Sequence, residues 1–162
     1  MERVSKHNYY LDIAQTVSQR STCLRRRFGA IIVKNDVIVS TGYNGAPRGR
    51  KNCTDLASCH REDLGIPRGE RYELCRSIHS EANAIIAAPR TEMLGSTLYM
   101  CCTSPLTGEI LPDTSNCMMC KRMIINAGIE RVIIRDTATD YRIVSVNEWI
   151  ENDDSLSGVF GY

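Results

Sequence analysis

Apolar positions recur at helical spacing near the start of the chain and then give way to runs of consecutive hydrophobics, so the change of period marks out the elements. Ser5 can cap a helix reaching to about Arg20, with Tyr10, Ile13, Ala14 and Val17 as its buried stripe. "FGAIIV" and "VIVSTGYN", separated by Lys34-Asn35-Asp36, predict a β-hairpin. Residues 45–74 lose periodicity and are rich in Gly, Pro, Cys and charge. A stretch of that length within a compact domain needs something to hold it, or it is disordered. The pattern then predicts a helix from His79 to Ala88 stopped by Pro89, and a strand in "STLYMCC". A loop over 104–116 follows, with a turn at Thr107-Gly108. "CMMCKRMIINA" reads as a helix closed by Gly128, "RVIIRD" and "YRIVSV" as two further strands, and 152–162 as a tail.

The order α-β-β-α-β-α-β-β places two strand-helix-strand units after a hairpin. Right-handed crossovers then lay helices against a mixed sheet of about five strands, an α/β fold of three α/β/α layers. One domain over residues 1–162 is expected, and the helices beginning near His79 and Cys117 should start at the same edge of the sheet.

Composition narrows the function. The 162 residues carry a net charge of +1, which disfavours a broad nucleic-acid surface, although Arg25–Arg27 and Arg48–Lys51 are local basic clusters. No apolar run approaches the roughly 18 residues of a membrane span, and the first residues lack the apolar core of a signal peptide. A cytoplasmic location without membrane or polynucleotide partners is therefore expected. Eight cysteines in a reducing compartment point to metal ligation or burial rather than disulfides.

The chemistry concentrates in "HSEANAII" and "CMMC". Cys117 and Cys120, three apart at a helix start, can share one ion, and the helix dipole favours their thiolates. His79 and Glu81 are about 200° apart on a regular helix. They reach a common site only from the first turn, with the glutamate better placed as neighbour than as ligand. His-Cys-Cys ligation leaves one tetrahedral position for water, the arrangement of a catalytic zinc, and Glu81 is the proton carrier beside it. The competing readings are a closed structural zinc, buried small cysteines and a core histidine. H-x-E followed by C-x-x-C is the pattern of zinc nucleobase deaminases.

With "STCLRRRFGAIIV", "STGYNGAPRG", "HSEANAII" and "CMMCKRMIINAGI", the chain resembles the cytidine deaminase superfamily, and within it the deoxycytidylate (dCMP) deaminases. The resemblance runs from about Ser5 to Asp136. It implies a cytidine deaminase-like fold and hydrolysis of dCMP to dUMP and ammonia for thymidylate synthesis. It implies His79, Cys117 and Cys120 as zinc ligands and Glu81 as the proton shuttle. Ala82 would offer its backbone N–H to the pyrimidine carbonyl, Asn44 would contact the sugar, and the Ser115 carbonyl would accept from the substrate amine. Arg26 and Arg27 open the strand paired with the one ending at Asn44, so both are phosphate candidates, against a solvated basic turn. Tyr141 is a weaker phosphate candidate, against a core tyrosine at a strand edge.

Relatives also bind deoxynucleoside triphosphate effectors. The resemblance implies a dCTP or dTTP site, with Mg accompanying the nucleotide, near Arg48, Arg50 and Lys51, and a homo-hexamer. Cys23, Cys53, Cys59 and Cys75 flank or lie within the irregular segment. They can close a second, structural zinc of the kind members often carry, with His60 able to replace one thiol, against free or buried cysteines. Cys101 and Cys102 point to opposite strand faces and read as packing. Two departures stand out. Asn116 replaces the proline that precedes the first cysteine in the superfamily but can still cap the helix, and the 104–116 loop is longer than in many relatives. Alternatives are deamination of dCTP, tRNA adenosine or a riboflavin precursor, or a zinc-stabilised binding module without turnover.

Overall fold

The computed structural model describes residues 1–156. The predicted tail therefore lies outside the described residues from 157 onward. Strands β1 (Arg27–Lys34), β2 (Val37–Tyr43), β3 (Thr97–Thr103), β4 (Arg131–Arg135) and β5 (Tyr141–Ser145) form one mixed sheet in the order β2-β1-β3-β4-β5. Only β3 and β4 pair in parallel; the other neighbours are antiparallel. Asn35 and Asp36 both take positive φ, so the β1–β2 connection is the tight two-residue turn whose twist matches the strands.

Each face of the sheet is covered because inward positions alternate along the strands. Ile31, Val33, Tyr99, Cys101 and Ile133 face α1 (Lys6–Ser18). Ala30, Ile32, Leu98, Met100, Val132 and Ile134 face the opposite layer. That layer contains α4 (Ser80–Ile86), α6 (Met118–Ala127) and α7 (Val146–Glu151). Every residue of β3 is buried; each fully buried aliphatic side chain there contributes about 1.5–3 kcal/mol. The α1 stripe is rotated from its expected position. Tyr10, Leu11, Ala14 and Ser18 are buried, whereas Ile13 and Val17 pack at the margin. The rotation follows from Gly29, whose missing side chain lets the Ala14–Ser18 backbone rest on the strand.

Residues 45–74 are more ordered than their composition suggests. They contain the short helices α2 (Cys53–Leu56) and α3 (His60–Asp63) and a 3-10 turn at Tyr72–Leu74. The clamp is Arg61, 5% exposed, which donates to the carbonyls of Pro67 and Glu70 and lies 4.5 Å over the Tyr72 ring. The predicted helix after His79 ends earlier than expected, and Pro89 instead caps the short α5 (Arg90–Met93). Helix α7 was not legible in the sequence; its six residues present too short a period, yet Trp149 packs on the core and Lys121 lies over its ring.

Candidate active site

The beginnings of α4 and α6 meet at one end of the sheet, and three local devices fix α4 there. Gly45 and Ile78 exchange backbone hydrogen bonds immediately before His79. Ser40 Oγ donates to Ala84 O, and Asn83 Nδ2 donates to Tyr43 O. Gly42 allows the closest approach: a Cβ there would lie 2.3 Å from Ser80 O and 2.4 Å from Ala84 N. On α6, Cys117 is the N-cap and its sulfur accepts from Cys120 N, while Gly128 at φ 80° closes the far end.

His79 caps α4 and Glu81 lies in its first turn, so both reach the same side despite their spacing. The Cys117 and Cys120 sulfurs lie 3.5 and 3.4 Å from His79 Nδ1, and all three donor atoms are within 4.8 Å of one another. A tetrahedral ion with Zn–N of about 2.0 Å and Zn–S of about 2.3 Å spans N···S edges of roughly 3.6 Å, so this donor set fits zinc. Hydrogen bonding from the Cys120 thiol, with His79 assisting, outweighs burial and pulls the Cys117 pKa well below a thiol's ordinary value. Cys120 moves the other way because the Cys117 sulfur and its own burial disfavour a second negative charge. Burial opposes a charged His79, but the Cys117 and Cys75 sulfurs and the Glu81 charge prevail and raise its pKa to about 10. Three such donors held within 4.8 Å of one another form a set that a dication satisfies directly.

Glu81 is 5% exposed and accepts from Ser80 Oγ at 3.1 Å and from Asn116 Nδ2 at 2.8 Å. It lines a cavity of about 390 Å³ together with Arg26, Asn44, Tyr72, His79 and Ser115. The three arginines of the basic cluster separate. Arg25 and Arg26 both line the cavity, Arg25 pairing with Glu62 at 2.9 Å, and Arg27 does not line it. The reason is strand alternation: Arg27 shares the parity of Gly29 and Ile31, which face α1. Tyr141 likewise belongs to the other side of the sheet, with its ring 5.3 Å from that of His7 in the α1 cluster, as expected of a strand-edge core tyrosine.

Asn44 borders the cavity, but most of its amide is committed. Its Oδ1 accepts from Ser21 Oγ and Phe28 N, and its Nδ2 donates to Arg26 O, which fixes the backbone beside Arg26. Ala82 is buried in the first turn of α4, where a helix leaves backbone N–H groups without intrahelical acceptors. The helix cap expected of Asn116 is supplied by Cys117 instead, and the asparagine side chain turns to Glu81. The end of the 104–116 loop is pinned across the sheet edge. Asp136 accepts from Asp113 N and pairs with Arg142, which donates to Thr114 O.

Cys23, Cys53, Cys59, Cys75 and His60 all line the same cavity. Burial and the charges of Cys23, Cys59 and Cys75 raise the Cys53 pKa, so these thiols are electrostatic neighbours. They do not converge as closely as the first set: among the described residues, His79, Cys117 and Cys120 are the one group of three or more such donors within 4.8 Å. Cys101 and Cys102 are fully buried on opposite faces, as packing requires. Tyr72, edge-on to His79 at 4.9 Å between ring centres, escaped sequence reasoning, since an aromatic in an aperiodic segment carries no signal of its destination.

A family model described as the cytidine and deoxycytidylate deaminase zinc-binding region matches residues 4–135. The deoxycytidylate deaminase of Mycobacterium phage D29 is 35% identical over 138 residues, covering 82% of this chain and 96% of the phage protein. That of Schizosaccharomyces pombe is 32% identical over 131 residues, covering 81% of this chain and 37% of the yeast protein, so the chain spans little more than a third of that relative. Among solved structures, the dCMP deaminase from cyanophage S-TIM5 in complex with dCMP and dUMP aligns with a TM-score of 0.56 and 29% identity. The alignment covers 83% of this chain and 85% of the phage protein.

Proposed function

The chain belongs to the cytidine and deoxycytidylate deaminase zinc-binding family, and on that premise we propose that it hydrolyses dCMP to dUMP and ammonia. One observation carries the reading: three zinc-type donors lie within 4.8 Å of one another beside a buried glutamate, in a cavity that Arg26 also lines. When bound by His79, Cys117 and Cys120, zinc supplies Lewis-acid activation of water. Glu81 accepts a proton from the attacking water and delivers it to N3 as oxygen adds to C4. It then carries the second proton to the amino group, which leaves as ammonia while C4 becomes a carbonyl. Ala82 N–H and the Ser115 carbonyl hold the pyrimidine edge, Asn44 contacts the sugar, and Arg26 binds the phosphate as a planar fork.

The reading extends to a second, structural zinc on Cys23, Cys53, Cys59 and Cys75, supported by the mutual influence of these thiols on one cavity wall. Binding there would draw the four sulfurs closer and fasten residues 45–75 to the start of β1. It also includes a homo-hexamer and a dCTP or dTTP effector with Mg. A second cavity of about 340 Å³, which shares His60, Cys75 and Arg76 with the first and is also bordered by Arg50, supports the effector site.

Ammonia release from dCMP, dCTP, deoxycytidine and cytosine tests the substrate, with zinc content measured on the same samples. dCMP is expected to react fastest, and preference for another member of the panel refutes the assignment. Glu81→Gln should retain zinc and lose at least about 1,000-fold in turnover, because the transferred proton has no other carrier. Near-normal turnover in that variant removes Glu81 from the mechanism.

A further inference from the structure

At Asn116 this chain departs from the proline of the superfamily, and the substituted side chain reaches the proton shuttle. Asn116 is 3% exposed; its Nδ2 lies 2.8 Å from Glu81 Oε1 and 3.6 Å from Met100 Sδ. The reversed amide would set its oxygen against a carboxylate, so chemistry requires the donor to face Glu81. Ser80 Oγ donates to the other carboxylate oxygen, and the two bonds together fix the plane of the group. Asn116 Oδ1 is buried and has no hydrogen-bond partner among the described residues. An orphaned buried acceptor is costly, so the bond from Nδ2 to Glu81 is made at the expense of the other end of the amide.

We propose that Asn116 is a positioning residue for the reaction, holding the Glu81 carboxylate through Nδ2 in the plane from which it carries its protons. The inference rests on the deaminase reading above. A proline has no such donor, so this arrangement belongs to the chain's own sequence.

The test uses the zinc-loaded wild type, Asn116→Ala and Asn116→Asp, with zinc content, dCMP kinetics and calorimetric binding of dUMP measured for each. In Asn116→Ala, kcat is expected to fall about 10- to 100-fold, the loss of a hydrogen bond to a charged group. KM should change less than kcat, and dUMP affinity should stay within about 2-fold, because binding the product requires no proton transfer by Glu81. Asn116→Asp keeps the shape and the acceptor but turns a second carboxylate toward Glu81, so it should lose at least as much as the alanine variant. An asparagine that only fills space predicts a near-normal aspartate variant. The proposal is overturned if either variant keeps kcat within about 3-fold at full zinc occupancy, or if dUMP affinity falls in parallel with kcat. If the alanine variant does not fold, the aspartate variant decides. A wild type that does not deaminate dCMP sinks the functional reading instead. The tether is then judged by crystal structures of the wild type and Asn116→Asp, and an unmoved Glu81 carboxylate overturns it.

Discussion

Arg26 and Arg27 are adjacent in the chain, chemically identical, and equally good phosphate candidates from sequence. One borders the cavity and the other shares the strand parity that faces α1. On the proposed phosphate role, Arg26→Ala is expected to raise KM for dCMP at least about 10-fold and to leave deoxycytidine, which has no phosphate, nearly unchanged. Equal effects on both substrates, measured by steady-state kinetics, would remove Arg26 from phosphate recognition. His79, Glu81, Cys117 and Cys120 were legible because each lies within the first turn of a helix whose start is marked locally. Asn116 and Tyr72 were not. Their partners, Glu81 and His79, are distant in sequence or lie across an aperiodic segment, and nothing local announces the contact.

At the scale of elements, the two glycines that admit helices to the sheet separate stability from chemistry. Gly29 meets α1 and Gly42 meets α4; in both places a Cβ would overlap helix backbone, which cannot rotate away. Overpacking of this kind costs about 1–3 kcal/mol. Gly29→Ala should lower the melting temperature and leave zinc affinity and kcat near normal, because α1 lies across the sheet from the site. Gly42→Ala should cost similar stability and also weaken zinc binding and turnover, since α4 carries His79 and Glu81. Thermal melts and zinc titrations of the two variants check the contrast; loss of zinc affinity in both, or in neither, contradicts it. The hairpin, the five strands and the long helices followed from periodicity. The α1 rotation did not, because close backbone approach to Gly29 outweighed the expected burial of Ile13 and Val17.

For the whole molecule, the second zinc is the testable element. Two zinc equivalents per chain are expected in the purified protein. Cys53→Ser should bring the count to one and lower the melting temperature, with dCMP turnover surviving at temperatures where the variant stays folded. A wild type that binds one zinc contradicts the second site. Among the described residues no helix is long and apolar enough to cross a membrane.

The sequence alone determined the order of the five strands and the three principal helices, the sheet with helices on both faces, and the zinc-type donors at two helix starts. These depend on periods and spacings that the local backbone enforces. Only the tertiary structure decided which arginine reaches the cavity, that Tyr141 belongs to the α1 side, that Arg61 organises the middle segment, and that Asn116 serves Glu81 rather than its own helix. Those outcomes depend on strand parity and on contacts between residues far apart in the chain, which exist only once the sheet has brought its edges together.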